Sequence, residues 1–318
     1  MPDVISLGNR TVAVRLQCGA WVVVPTWNVD VAVGIIRDGV IEPWTARAVQ
    51  RILKPGDTYV NVGANFGFYM ALGANSVGRT GRVHAIEANP VLLPYLLRSL
   101  CWASYPEAIG LYNRAASDED GATVILEFDP QHIGGGTVLA NGDYTDAMAR
   151  SIVDGLWENV DPTRLVEPDG RVLPTSGTPT RRECKTARLD TLLEDTSRVD
   201  LLHMDIEGSE PAAIAGARGI IERSPGIAVI LEWSPYYCLA PKRIDKTRAM
   251  WALFETLGYS WYRIRHEDFS RWLPAPRLSR IRSREALFAL AHSDVLVVKD
   301  LRKHFRWWPA LVVGDAKA

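Results

Sequence analysis

Four polar residues stand where apolar runs end: Asn61 after Tyr59-Val60, Glu87 after Arg82–Ile86, Asp205 after Val199–Met204 and Glu232 after Ile227–Leu231. Between the first two lies Gly63-Ala-Asn-Phe-Gly67, a glycine turn that leaves a buried strand and opens a helix. In open parallel sheets, ligands sit at the carboxyl ends of the strands. A buried carboxylate is costly without a partner. Any one of the four is equally well a helix cap or a solvated strand end; the set of four reads as a site. The chemistry open to it is nucleoside binding followed by proton removal. A glycine turn lets backbone approach a ligand, and a helix start suits an anion. An acid about 20 residues further on grips ribose hydroxyls. A carboxylate within reach of an acceptor hydroxyl can take its proton.

Spacing narrows the ligand. A dinucleotide fingerprint reads G-x-G-x-x-G because a pyrophosphate needs bare backbone nearby. This chain has G-x-x-x-G, with Asn61 where the first glycine would stand. The phosphate cradle is incomplete, which counts against NAD and favours a nucleoside without a diphosphate, S-adenosylmethionine (SAM). The backbone N–H groups of Gly63 to Gly67 then suit its carboxylate, Glu87 its ribose, and Ala115 and Ala116 leave room for adenine. Asp205 holds the amino group or faces the acceptor. The expected cofactor-binding set is Asn61, Gly63, Ala64, Asn65, Phe66, Gly67, Glu87, Ala88, Ala115 and Asp205. Asp205, Glu207 and Glu232 are the candidate bases. His203 reads as a satisfied core histidine, with His266 and His292 as more distant alternatives. Asp205, Glu207 and Glu210 could offer oxygens to magnesium, but Glu210 opens a helix, where the dipole favours an acid anyway. No metal is expected. Trp233, beside Glu232, is placed to line an acceptor pocket. Trp307-Trp308 could stack on a ligand or meet a membrane surface, although core packing is the more frequent use of tryptophan.

The runs "VNVGANFGFY", "HAIEANP", "ARLDTLL" and "HMDIEGSE" resemble the successive motifs of the FkbM-type SAM-dependent methyltransferases, from about Gly39 to Lys299. The resemblance implies a Rossmann-like class I fold with a seven-stranded sheet, and O-methyl transfer onto sugars or secondary metabolites. Two positions depart from the family pattern. Asn61 stands where an acid is usual, and His203 where lysine is common. The expected activity is methyl transfer from SAM to a hydroxyl of a small molecule, sugar or glycan. The alternatives are an NAD-dependent oxidoreductase and a binding protein that keeps the fold without turnover.

The elements that must position these residues follow an α/β rhythm. The expectation is a mostly parallel sheet with helices on both faces. Residues 1–38 form N-terminal β elements, since "TVAVRL" and "WVVVPT" alternate or run apolar. Residues 39–318 form the methyltransferase domain. An insertion spans about 129–182, where Gly134-Gly135-Gly136 and a Pro-, Gly- and Thr-rich stretch break the pattern; a helix over Thr145–Trp157 falls inside it. Phe66, Met70, Gly73, Ala74 and Val77 mark the buried face of the helix after the turn. Ala213 to Ile221 read as one helix.

The 318 residues are 47% hydrophobic and 23% charged, with net charge −1, which gives no electrostatic case for nucleic acid. Basic stretches at Arg277–Arg284 and Arg302–Arg306 read as solvated surface. Cys18, Cys101, Cys184 and Cys238 are not spaced as a metal or redox pair and are expected to be buried free thiols. No apolar run approaches the ~20 residues that span a bilayer. No signal-peptide pattern is visible, and a cytoplasmic location is expected.

Overall fold

Short apolar runs with no polar alternation build a sheet buried on both faces. The computed structural model describes residues 1–129, 180–266, 276–305 and 312–316, plus the two-residue strands Thr137–Val138, Leu165–Val166 and Val172–Leu173. Among the described residues the central sheet has nine strands: β1 (Thr58–Val62), β2 (Arg82–Glu87), β3 (Ile109–Asn113), β4 (Leu201–Met204), β5 (Ala228–Trp233), β6 (Ser260–Ile264), β7 (Leu278–Ile281), β8 (Ser293–Val298) and β9 (Val312–Asp315). Their spatial order is β9-β7-β6-β8-β5-β4-β1-β2-β3. β1 to β5 are mutually parallel. β8 runs antiparallel to both β5 and β6, β7 antiparallel to β6, and β9 parallel to β7.

The sheet is therefore mixed and two strands wider than the expected seven. The two strands that the sequence did not announce are β9, close to the C-terminus, and β7, inside the basic stretch Arg277–Arg284. Arg280 within β7 and Arg277 and Arg282 beside it are exposed, while Leu278, Ser279 and Ile281 are buried. A strand that presents charge on one face looks like solvated surface when only its charge is counted.

Side chains of each strand alternate between two apolar layers. Tyr59, Leu201, Ile230 and Leu296 pack on one face with Val49, Ile52, Met70 and Leu96. Those partners come from the helices Pro43–Ile52, Phe68–Val77 and Leu93–Cys101. Val60, Leu202, Val229 and Val297 pack on the other face with Ile214, Ile220, Phe254 and Leu287, from the helices Glu210–Ala215, Arg218–Arg223, Ile244–Thr256 and Arg284–Phe288. The stretch read as one helix from Ala213 to Ile221 is thus two, broken at Gly216. A Cβ on Gly216 would lie 1.9 Å from the Ser117 carbonyl oxygen, so only glycine lets this break in the helix lie against Ser117.

The N-terminal strands Val4–Gly8, Thr11–Arg15 and Trp21–Pro25 form an antiparallel sheet, docked where the Val23 N–H donates to Ser99 Oγ at 2.8 Å. They are followed by a helix, Val31–Asp38, where β structure was expected. Its start is fixed by side chains that alternation does not report. Asp30 accepts from the Val31 N–H, Asn28 Oδ1 accepts from the Ala32 N–H at 2.8 Å, and Gly39 ends the helix in the left-handed region.

Thr123–Phe128 lies outside the central sheet. It pairs with Thr180–Ala187, which also pairs with Ala115-Ala116, in a small four-stranded sheet. The expected helix over Thr145–Trp157, the glycines 134–136 and Trp307-Trp308 lie outside the described residues. Cys184 and Cys238 are buried, Cys18 is partly buried and Cys101 exposed, so the expected burial holds for two of the four thiols. Among the described residues, no helix is long and apolar enough to cross a membrane.

Candidate active site

The turn after β1 folds tightly because three of its residues take positive φ: Gly63 (83°), Asn65 (50°) and Gly67 (92°). Its N–H groups are consumed internally. Those of Gly63 and Ala64 both donate to the Ile86 carbonyl (2.9 and 3.0 Å), and that of Gly67 to the Ala64 carbonyl (2.8 Å). Phe66 N–H donates to Asn65 Oδ1, and Asn65 N–H to Glu87 Oε2, both at 2.8 Å. The expectation that these five groups would face a ligand carboxylate is corrected: they shape the turn and fasten it to β2.

Glu87 is the fastener. It is 7% exposed. Its Oε2 takes the Asn65 N–H and its Oε1 the Asn89 N–H at 2.7 Å, while Asn113 Nδ2 donates to its backbone carbonyl at 2.8 Å. Burial pushes its carboxyl above the usual range, opposed by those backbone donors. Each carboxylate oxygen keeps a second lone pair, so both can still accept from a ligand.

Glu87 lines a cavity with Gly63, Asn65, Ala88, Ala115, Asp205 and Glu207, seven residues drawn from separate parts of the sequence. Arg114, Asn89, Leu92 and Leu126 complete much of the wall. Leu126 comes from the small sheet, and nothing in its sequence context signals this. Asn61, Ala64, Phe66, Gly67 and Glu232 do not line the cavity. Ala64 and Phe66 are buried beneath the turn, and Gly67 caps the helix Phe68–Val77. Asn61 is fully buried, and neither atom of its carboxamide has a hydrogen-bond partner among the described residues.

Beside the cavity lies a cluster of carboxyl groups. β4 and β5 pair Met204 with Leu231, which brings Asp205 and Glu232 level on one face. Asp294 of β8 sits opposite Glu232 and accepts from Trp44 Nε1 at 3.0 Å and from Thr45 Oγ1. Glu207 reaches in from a backbone at φ 52°, steadied by Arg243 Nη1, which donates to its carbonyl at 3.2 Å. Glu42 accepts from the Tyr69 hydroxyl at 2.7 Å. Burial raises the pKa of all five, and mutual repulsion adds to this for Glu42, Asp205 and Glu232, with Glu42 at about 7. Asp205 is held far above the usual carboxyl range first by burial and then by Glu232, and Glu232 likewise by burial and then by Glu207.

The remaining site residues sort by face. His203 is buried, with its Nδ1 3.1 Å from the Tyr59 hydroxyl and its ring edge-on to Tyr69. Burial lowers its pKa to about 3. It is a core histidine, as expected. His292 Nε2 lies 3.2 Å from Glu232 Oε1. His266 packs against Trp44. Trp233 does not line the cavity: it is 1% exposed, stacks on Phe288 and donates to the Leu290 carbonyl at 3.3 Å. Adjacent residues of a strand face opposite ways, so Glu232 and Trp233 could never share a pocket, and alternation alone would have excluded Trp233.

Glu210 is engaged elsewhere. Its Oε1 accepts the Ile206 N–H at 2.9 Å, and burial lifts its carboxyl to about 7. A carboxyl raised in the fold contributes stability that is complete below its unfolded value of 4.5 and lost as pH rises through about 7. The loss over that window is roughly 3 kcal/mol for this group. Urea melts in EDTA should show Glu210→Gln gaining on the wild type as pH rises from 4.5 to 7. A difference independent of pH would refute the assignment. His203 works the other way: its contribution is lost as pH falls from 6.5 towards 3, in both proteins alike.

A family model described as the methyltransferase FkbM domain matches residues 61–260. No curated protein matches the chain. Among solved structures, the chain is similar to the methyltransferase FkbM of Methylobacillus flagellatus (14% identity, 76% of this chain and 43% of that one, TM-score 0.39). It is also similar to a SAM-dependent O-methyltransferase of Thermotoga maritima (14%, 90% and 77%, TM-score 0.42). A third is an O-methyltransferase of Bacillus cereus in complex with SAH (11%, 84% and 86%, TM-score 0.41). The match spans less than half the length of the Methylobacillus protein.

Proposed function

The chain belongs to the FkbM methyltransferase family, and on that premise we propose that it transfers a methyl group from SAM to a hydroxyl of a small molecule, sugar or glycan. What supports the reading is the cavity in which Gly63, Asn65, Glu87, Ala88, Ala115, Asp205 and Glu207 meet. Glu87 takes the ribose hydroxyls with its spare lone pairs. Ala115 and Leu126 flank the adenine. Asp205 faces the amino group and the sulfonium side. Residues 39–318 are the catalytic unit, with an insertion over about 129–182.

The reaction is an in-line displacement. The acceptor oxygen forms a bond to the methyl carbon as the sulfur–methyl bond breaks, S-adenosylhomocysteine leaves, and the hydroxyl proton passes to the carboxyl cluster. Holding oxygen, carbon and sulfur in line supplies much of the rate. A carboxylate whose pKa is raised towards neutrality is a better base than a free one, and burial raises that of Glu207.

Calorimetry with SAM and SAH tests the cofactor, and labelled methyl offered with a panel of sugars and small alcohols tests transfer. The expected result is saturable SAM binding and label on an oxygen. SAM binding with no labelled product across the panel would favour a binding protein without turnover. A nicotinamide titration that changed fluorescence would favour the oxidoreductase.

A further inference from the structure

The carboxylate oxygens of Asp205, Glu207 and Glu232 lie within 4.8 Å of one another. Each of the three is only partly buried, and at this separation their ionised forms repel strongly unless something positive joins them. That partner is either a shared proton or a cation. Glu210, the third acid of the sequence triad, is spent on the Ile206 N–H, and Glu232, brought level with Asp205 by strand register, stands in its place. The two oxygens of Glu232 are in different situations. His292 Nε2 lies 3.2 Å from Oε1, while Oε2 is buried without a hydrogen-bond partner among the described residues.

An observation outside the acids points to a ligand. Asn61 pairs with His203, two residues before Asp205. Alternation puts Asn61, His203 and Asp205 on the face where the Tyr59 hydroxyl meets His203. Gly63, the next residue of this column, abuts the Asp205 carbonyl so closely that a Cβ there would overlap it. The Asn61 carboxamide, fully buried and without a partner among the described residues, therefore lies on the face of the sheet that carries the cluster, one step before Asp205 on the neighbouring strand. Native proteins seldom leave such groups unsatisfied.

We propose that Asp205, Glu207 and Glu232 bind a hard divalent cation of the magnesium, manganese or calcium class, with the Asn61 carboxamide as a neighbouring oxygen donor. An all-oxygen set rich in carboxylates is what these ions take. Asp205 and Glu207 also line the cavity, so the ion's remaining positions face the space where an acceptor oxygen enters. The inference rests on the transferase reading only for what fills those positions.

The test is titration of the full chain with Mn2+, free ion read by electron paramagnetic resonance, without SAM. One saturable site with a dissociation constant at or below about 1 mM is expected. Asp205→Asn and Glu232→Gln should each weaken it at least about tenfold, while Glu222→Gln, at an exposed pair with Arg218, leaves it unchanged. Both site variants remove a repelling charge and should fold, as near-ultraviolet dichroism would verify; Glu207→Gln is the reserve. Mn2+ should raise the Tm of the wild type and not that of Asp205→Asn. Absence of saturable binding, or equal binding in the site variants, overturns the proposal and leaves a shared proton in its place. Calorimetry with SAM on the same samples separates the two ideas. SAM binding without Mn2+ binding sinks only the cation, and Mn2+ binding without SAM binding sinks only the transferase.

Discussion

Glu87→Ala lowers the affinity for SAM by between about 10-fold and 150-fold, the range expected for a lost hydrogen bond to a charged acceptor of roughly 1.5–3 kcal/mol. The effect has two sources. The ribose loses its carboxylate, and the protein loses the acceptor that the Asn65 and Asn89 N–H groups share. Those donors would be left unsatisfied at the mouth of the cavity, and the turn after β1 would part from the turn after β2. Glu87→Gln keeps one carbonyl oxygen but sets an NH2 group against one of the two donors, so its loss should be smaller than that of alanine and still measurable. Calorimetry on the three proteins decides the matter. Equal affinities across the series would remove Glu87 from the binding site altogether.

Gly63→Ala should cost at least about 4 kcal/mol of stability, a large share of what a domain has to lose. An added Cβ would sit 1.9 Å from the Asp205 carbonyl oxygen and 3.2 Å from Ile206 Cγ2. Relief requires β1 and β4 to separate where the Asp205 N–H donates to the Val62 carbonyl at 3.1 Å. Its φ of 83° adds strain for any residue with a side chain. Gly258→Ala is the control. Gly258 also has a positive φ, at 78°, but a Cβ there meets nothing within 4 Å, so only the conformational cost of roughly 1–2 kcal/mol applies. Urea denaturation of both variants should show Gly63→Ala far the weaker. Similar midpoints would mean that the β1–β4 contact yields easily.

Much of the cavity wall around Glu87 was legible because it is local. A strand, a glycine turn, a helix and an acid at the next strand end lie within some thirty residues, and each announces itself by type and spacing. Even so, the turn was misjudged in one respect. Which acceptor each N–H finds depends on where β2 lies, and the Ile86 carbonyl and Glu87 take three of the five. The carboxyl side was legible only in part. Asp205 and Glu207 fall in one motif, but Glu232 joins them through the register of two parallel strands, and Asp294 and Glu42 through contacts across most of the chain length. Helix Val31–Asp38 was hidden by an alternating pattern that side-chain caps overrule.

The sequence by itself determined the family, the glycine turn and the acid that closes the neighbouring strand. Backbone conformation and hydrophobic period are written into consecutive residues and need no distant partner. Only the tertiary structure decided which carboxyl groups meet, because proximity between strand ends is set by sheet order and register, which the spacing of residues along the chain does not encode. It likewise decided that Glu210 turns to its own loop, and that Asn61 is left buried with no hydrogen-bond partner among the described residues.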